Sequence, residues 1–106
     1  MIISFKDKDT EKVFCGEYCR RIPSDIQRRA QIKLTLLNAA SCLEVMKVPP
    51  SNRLEKLRGN RSAEWSIRIN DQWRITFKYN QIQKNFYDVL IEDYHYKALK
   101  TKEFYG

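Results

Sequence analysis

The stretch Trp65-Ser66-Ile67-Arg68-Ile69-Asn70-Asp71-Gln72-Trp73-Arg74-Ile75-Thr76-Phe77 decides the fold. Trp65–Ile69 and Trp73–Phe77 each alternate apolar with polar residues, the period of a half-buried strand. Trp65, Ile67 and Ile69 share one face of the first run, and Trp73, Ile75 and Phe77 share one face of the second. Asn70-Asp71-Gln72 predicts the hairpin turn, because Asn and Asp tolerate positive φ and can bond their own backbone. With the apolar faces inward, Arg68, Arg74, Thr76 and Lys78 are displayed on the other side. A sheet with an apolar back and a cationic front suits an anionic ligand.

Just before the hairpin, Leu54 to Arg58 predicts a short strand anchored by Leu54 and Leu57, with a turn at Gly59-Asn60. Arg53, Lys56, Arg58 and Arg61 make this approach densely cationic. Past the hairpin, Asn80 to Asn85 reads as a polar loop and Tyr87 to Ile91 as the last strand. Val89, Leu90 and Ile91 are apolar in succession, which places that strand inside the sheet rather than at its edge. Towards the N-terminus, Ile2 to Phe5 reads as a short strand. A helix follows, capped by Asp7 or Asp9, with Val13, Phe14 and Tyr18 on its inner side and a weak point at Gly16. Pro23-Ser24-Asp25-Ile26-Gln27 carries the spacing of a capping box, Ser24 with Gln27. Ile26, Ala30, Leu34 and Leu37 then form one apolar stripe, with Arg28, Arg29 and Lys33 outside it. This helix is expected to cover the sheet's apolar face and to end near Leu43, ahead of Pro49-Pro50.

At 106 residues the chain suits one domain with a single sheet-plus-helix core. With 42% apolar and 31% charged residues it has the composition of a folded, soluble protein. A net charge of +7 is high for this length and points to a polyanion, nucleic acid first. No apolar run approaches the roughly 18 residues of a membrane span, and the N-terminal apolar run is too short for a signal peptide, so a cytoplasmic location is expected. Cys15, Cys19 and Cys42 fall in predicted helices, as unpaired thiols of a reducing compartment would. A metal site is not expected. Cys15 and Cys19 would share a helical face, but Cys42 and the lone histidine would have to come from far away.

That histidine, His95, stands where the last strand runs out, close to Asp93 and between Tyr94 and Tyr96. Histidine is the side chain best suited to proton transfer near neutral pH. If the last strand lies beside Trp73–Phe77, its end approaches Arg74 or the Arg58 loop. A proton-transfer group beside fixed guanidinium groups is what RNA phosphodiester cleavage needs, with no metal or other cofactor. The 2′-hydroxyl loses a proton and attacks phosphorus, the charge on the phosphate oxygens is held, and the 5′-oxygen is protonated as it leaves. Arginine suits the middle task because its fork grips two phosphate oxygens. Tyr94 or Tyr96 can orient the hydroxyl or stack on a base. Strict alternation puts His95 in register with Val89 and Ile91, so it reaches the arginine face only through a bulge, a twist or an earlier end to the strand. A serine hydrolase is disfavoured by the absence of a Gly-x-Ser-x-Gly elbow. A glycine-rich phosphate loop is excluded because only Gly16, Gly59 and Gly106 are present.

The segment Pro50-Ser51-Asn52-Arg53-Leu54-Glu55-Lys56-Leu57-Arg58-Gly59, the hairpin, and the closing Asp93-Tyr94-His95 together resemble the HigB toxins of the RelE-like superfamily. The opening Met1–Lys6 and Ile22-Pro23 share that likeness, which spans residues 1–96 as one toxin domain and leaves 97–106 as a basic tail. The resemblance implies an α+β fold, with two N-terminal helices packed on a small, mainly antiparallel sheet. It implies a toxin of a toxin–antitoxin system, an endoribonuclease that enters the ribosomal A site and cuts mRNA. Its expected partners are the ribosome with its message and a HigA-like helix-turn-helix antitoxin, with operator DNA reached only through the antitoxin complex. Carried over residue by residue, Arg74 matches the phosphate-stabilising arginine, His95 the general acid or base, and Asp93 and Tyr94 that histidine's neighbours. Arg58 stands where relatives have lysine, which suits phosphate neutralisation rather than proton transfer. Arg53, Lys56, Arg61, Arg68 and Lys78 are expected to contact RNA. The Asn80–Asn85 loop and the tail are longer than in relatives. Two alternatives share the fold without the nuclease: a ParE-like gyrase inhibitor, and a basic RNA- or ribosome-binding module.

Overall fold

The computed structural model describes residues 1–94. His95, Tyr96 and the 97–106 tail lie outside the described residues. Two helices, α1 (Lys8–Phe14) and α2 (Ser24–Ala39), precede four strands: β1 (Glu55–Lys56), β2 (Glu64–Arg68), β3 (Trp73–Asn80) and β4 (Asn85–Asp93). The strands form one antiparallel sheet in the order β1-β2-β3-β4. Strand β4 is the outer strand of the sheet and not an inner one as expected; the expected first strand is a pair of parallel bridges, Ile2 to Phe86 and Phe5 to Val89, which lay the N-terminus along the free edge of β4.

The hairpin forms as its period requires, with Ile67 opposite Ile75 and Arg68 opposite Arg74. Its turn differs from the expectation in one respect. Neither Asn70 nor Asp71 has positive φ. The Asn70 carboxamide accepts from the backbone N–H groups of Gln72 at 2.9 Å and Trp73 at 2.7 Å, and the Trp73 carbonyl accepts from the N–H groups of Ile69 at 2.9 Å and Asn70 at 3.2 Å. Between β3 and β4 the polar loop is a tight turn, closed by the Lys84 N–H on the Asn80 carbonyl at 2.7 Å. One extra residue in β4 makes a bulge where Thr76 pairs with Leu90 but Lys78 with Tyr87; Asp88 absorbs it at φ 52°. The bulge returns Phe86, Val89 and Ile91 to the helix side, all fully buried with Ile67, Ile75 and Phe77. Ile26, Ala30, Leu34 and Leu37 of α2 close over them, so the predicted stripe is the core stripe.

Helix α1 is capped by Asp7, whose carboxylate accepts from the Thr10 N–H at 2.8 Å, while Arg21 donates to both Asp7 and Asp9. It stops at Gly16 (φ 82°) in a Schellman arrangement, with Glu17 N–H on the Lys12 carbonyl and Gly16 N–H on that of Val13. Tyr18 therefore lies beyond the helix and is exposed, not on an inner face. Cys15 caps the helix end and Cys19 is buried in the following loop, so the two do not share a helical face. The capping box is not formed: Pro23 is the N-cap and makes no side-chain cap bond. Gln27 is buried instead, accepting from the Cys19 N–H at 3.0 Å and donating to the carbonyls of Cys19 and Ile22, both at 2.6 Å. Helix α2 ends at Ala39, short of Leu43, which begins a separate short helical turn.

The free edge of β4 beyond Val89 is held by side chains. The Thr10 hydroxyl accepts from the Ile91 N–H at 3.0 Å, and Arg21 donates to the Ile91 carbonyl at 3.0 Å. These bonds fix the strand just before Glu92, Asp93 and Tyr94. No helix among the described residues is long and apolar enough to cross a membrane.

Candidate active site

The outer face of the sheet, away from the helices, holds the candidate site. Ser66 and Arg68 of β2, Arg74, Thr76 and Lys78 of β3, and Leu90 and Glu92 of β4 share it by alternation and register, with Tyr94 just past the end of β4 beside Arg74. Arg74 is at its centre and only 7% exposed. Its Nη1 donates to the Ser66 hydroxyl at 2.6 Å and lies 3.6 Å from a Glu55 carboxylate oxygen. Its guanidinium carbon sits 5.0 Å from the centre of the Tyr94 ring. Ser66 and the ring thus grip one side of a planar fork, and among the described residues no other donor of Arg74 makes a hydrogen bond. Arg68 stands directly opposite Arg74, a like-charged cross-strand pair whose repulsion is offset by Asp71 on Arg68 and Glu55 beside Arg74.

The hairpin turn also holds the end of β4. The Tyr94 N–H donates to the Gln72 carbonyl at 2.8 Å, and the Gln72 carboxamide donates to Asp93 at 2.8 Å. Asp93 has the parity of its partner Trp73, on the helix side, so Asp93 and Tyr94 leave the strand in opposite directions. Strand β4 ends at Asp93, before His95.

The cationic front is only partly open. Arg61 reaches across it to two buried carboxylates. It bonds Glu64 at 2.8 and 2.9 Å and Glu92 at 2.8 and 3.0 Å, while the Thr76 hydroxyl donates to Glu92 at 3.0 Å. These bonds raise the Arg61 pKa above its already high value and hold the Glu64 carboxyl below the usual range. Both acids have the parity of the arginine face, which alternation alone reveals; which arginine they meet depends on register. Gln72 was likewise visible only as part of the turn.

The remaining cations are dispersed. Arg58 is exposed at the start of the Gly59–Arg61 turn, and Arg53 is exposed in a left-handed conformation at φ 46°. Arg68 is ion-paired with Asp71, and Lys78 lies 3.5 Å from Asp88. Lys56 pairs with Trp65 in the β1–β2 ladder and its ammonium lies 5.7 Å from that ring, on the opposite face from Arg74. Lys33 bonds Asn52; burial first, then Arg29 and Arg68 nearby, lowers its pKa.

Two helices on one face of a four-stranded antiparallel sheet, with a held arginine on the other, place the chain among the RelE-like α+β toxins. The family described as the RelE-like toxin of type II toxin–antitoxin system HigB matches residues 3–99, and the chain belongs to it. It is 39% identical over 80 residues to Toxin HigB-1 of Vibrio cholerae, covering 74% of this chain and 84% of that protein. It is 31% identical over 99 residues to Endoribonuclease HigB of Proteus vulgaris, covering 90% of this chain and all of that protein.

Proposed function

We propose that this toxin is a ribosome-dependent endoribonuclease that cuts mRNA in the A site. The observation that carries the reading is Arg74, nearly buried and held by Ser66 and Tyr94, its remaining donors without a hydrogen bond among the described residues. The name of the Proteus vulgaris relative, an endoribonuclease, supports the RNA-cleaving part of this reading.

In this reading the 2′-oxygen attacks the adjacent phosphorus and the bond to the 5′-oxygen breaks. The reaction leaves a 2′,3′-cyclic phosphate and a 5′-hydroxyl, and the proton lost at the 2′-oxygen is balanced by one gained at the leaving oxygen. Arg74 holds the developing charge on the phosphate oxygens. Arg58 supplies a second cation without taking part in proton transfer. His95 moves a proton, Tyr94 positions Arg74 and the nucleotide, and Asp93 anchors the segment leading to His95. The substrate's own hydroxyl is the nucleophile, so the chemistry needs no cofactor. Arg53, Arg68 and Lys78 contact the RNA backbone. Arg61 belongs to the Glu64–Glu92 cluster and Lys56 to the helix side, so neither keeps an RNA contact in this proposal. A HigA-like antitoxin would restrain the activity and carry the complex to operator DNA, and the site of action would be the cytoplasm.

The test is purified protein on mRNA-programmed ribosomes, with RNA ends mapped. New ends at the A-site codon that vanish in His95→Ala support the proposal. Ribosome binding without new ends, or inhibition of gyrase supercoiling in its place, would reject it.

A further inference from the structure

Arg29 and Lys33 lie one turn apart on α2, outside the site described above, and each is fixed by a neutral acceptor. Arg29 donates to the Ile69 carbonyl at 2.6 Å, which brings its guanidinium to the residue next to Arg68. Lys33 donates to the Asn52 carboxamide oxygen. Asn52 is fully buried, and its amide nitrogen donates to the carbonyls of Met46 at 3.1 Å and Val48 at 3.3 Å, so the oxygen that receives Lys33 is fixed in direction. Among the described residues neither Arg29 nor Lys33 has an ion pair, and the Asp71 carboxylate that pairs with Arg68 is itself exposed. Burial, and then the charges of Arg29 and Arg68, lower the Lys33 pKa. A neutral amide in place of Lys33 would satisfy Asn52 as well. Three cations crowded there cost stability that a bound anion offsets.

Position decides which anion. Arg68 is the cross-strand partner of Arg74, and neighbouring strands run about 5 Å apart, so the cluster continues from Arg74 towards α2. An RNA strand with its scissile phosphate at Arg74 carries the next phosphate along that line. We propose that Lys33, Arg29 and Arg68 form a second phosphate site, which takes the backbone phosphate of the message next to the one that is cut. The inference rests on the nuclease reading above. Two grips fix the direction of the backbone as well as the place of the scissile bond, whereas one contact leaves the strand free to pivot.

The test uses ribosomes programmed with a short synthetic message whose cut site carries a 2′-O-methyl group, so that binding is measured without cleavage. Lys33→Gln removes the charge and keeps a donor for Asn52. It should weaken binding about fivefold at low salt, and the slope of log affinity against log salt should flatten by about 0.7. The phosphates flanking the cut are then replaced one at a time by a neutral methylphosphonate. At one of them the wild type should lose as much as the variant lost, and Lys33→Gln should lose no more. If Lys33→Gln does not fold, Arg29→Gln serves with the same expectations, and Lys33→Arg should retain binding. Losses that multiply at every flanking position would overturn the proposal. So would equal weakening on ribosomes without message, which would assign the cluster to ribosomal RNA, or unchanged ribosome affinity with weaker antitoxin binding, which would assign it to an acidic surface of the antitoxin. Absence of cleavage of an unmodified message by the wild type would defeat the nuclease reading instead, while the binding measurements would still decide the second phosphate site.

Discussion

Arg74 and Tyr94 meet across the end of the sheet, the guanidinium carbon 5.0 Å from the centre of the phenol ring. The ring holds the cation by its face, so the hydroxyl is not required for the contact. Tyr94→Phe should therefore keep Arg74 in place and lower the cleavage rate only modestly. Tyr94→Ala should cost roughly tenfold more, the scale of a desolvated cation–π contact. Single-turnover rates of the two variants check this.

Glu55 lies 3.6 Å from Nη1 of Arg74 and is 54% exposed, so it competes weakly with any phosphate for the same fork. Glu55→Gln should tighten RNA binding by up to about fivefold at low salt, with the gain shrinking as salt rises. Dissociation constants measured against ionic strength provide the test.

Glu64 is held below the usual carboxylate range by its bonds to Arg61. A depressed folded-state pKa means stability that is fully present above the unfolded carboxyl value and is lost as the pH falls through the folded one. The protein should therefore lose stability on acidification below about pH 4–5, where model carboxyls begin to protonate. Glu64→Gln should be less stable at neutral pH and lose less on acidification. Denaturant midpoints from pH 7 to pH 2 would show it.

Gln27 ties down the loop before α2 through three hydrogen bonds to buried backbone groups. Gln27→Ala leaves those groups unpaired and should cost about 1–3 kcal/mol. Gln27→Glu should cost more, because a carboxylate cannot donate to the Cys19 and Ile22 carbonyls. Chemical denaturation measures both, and cleavage by the folded fraction should be unchanged.

Periodicity made much of this architecture legible. The hairpin alternation and the Ile26–Leu37 stripe concern one residue's relation to its own helix or strand, and both appear as expected. What escaped depended on partners outside a residue's own helix or strand or, for Tyr18, on where its helix stops. Ser24 with Gln27 had the spacing of a cap, but the Cys19–Ile22 loop needed the Gln27 amide more. Tyr18 had helical spacing from Phe14, but Gly16 ends the helix between them. Lys56 was grouped with its basic neighbours, and only its pairing with Trp65 puts it on the helix side. On the outer face, alternation assigned Arg68, Arg74, Thr76 and Lys78 correctly, but Glu64 and Glu92 have the same parity. The bulge at Asp88 sets the register that brings Glu92 to Thr76 and Arg61.

In the proposed reaction Arg74 stabilises charge on the scissile phosphate. The most direct measurement compares Arg74→Ala with wild type on mRNA-programmed ribosomes, following single-turnover cleavage and ribosome affinity together. The rate should fall by about two to three orders of magnitude, the effect of losing one transition-state donor, while affinity changes far less. An undiminished rate, or an affinity that falls as steeply as the rate, would contradict it.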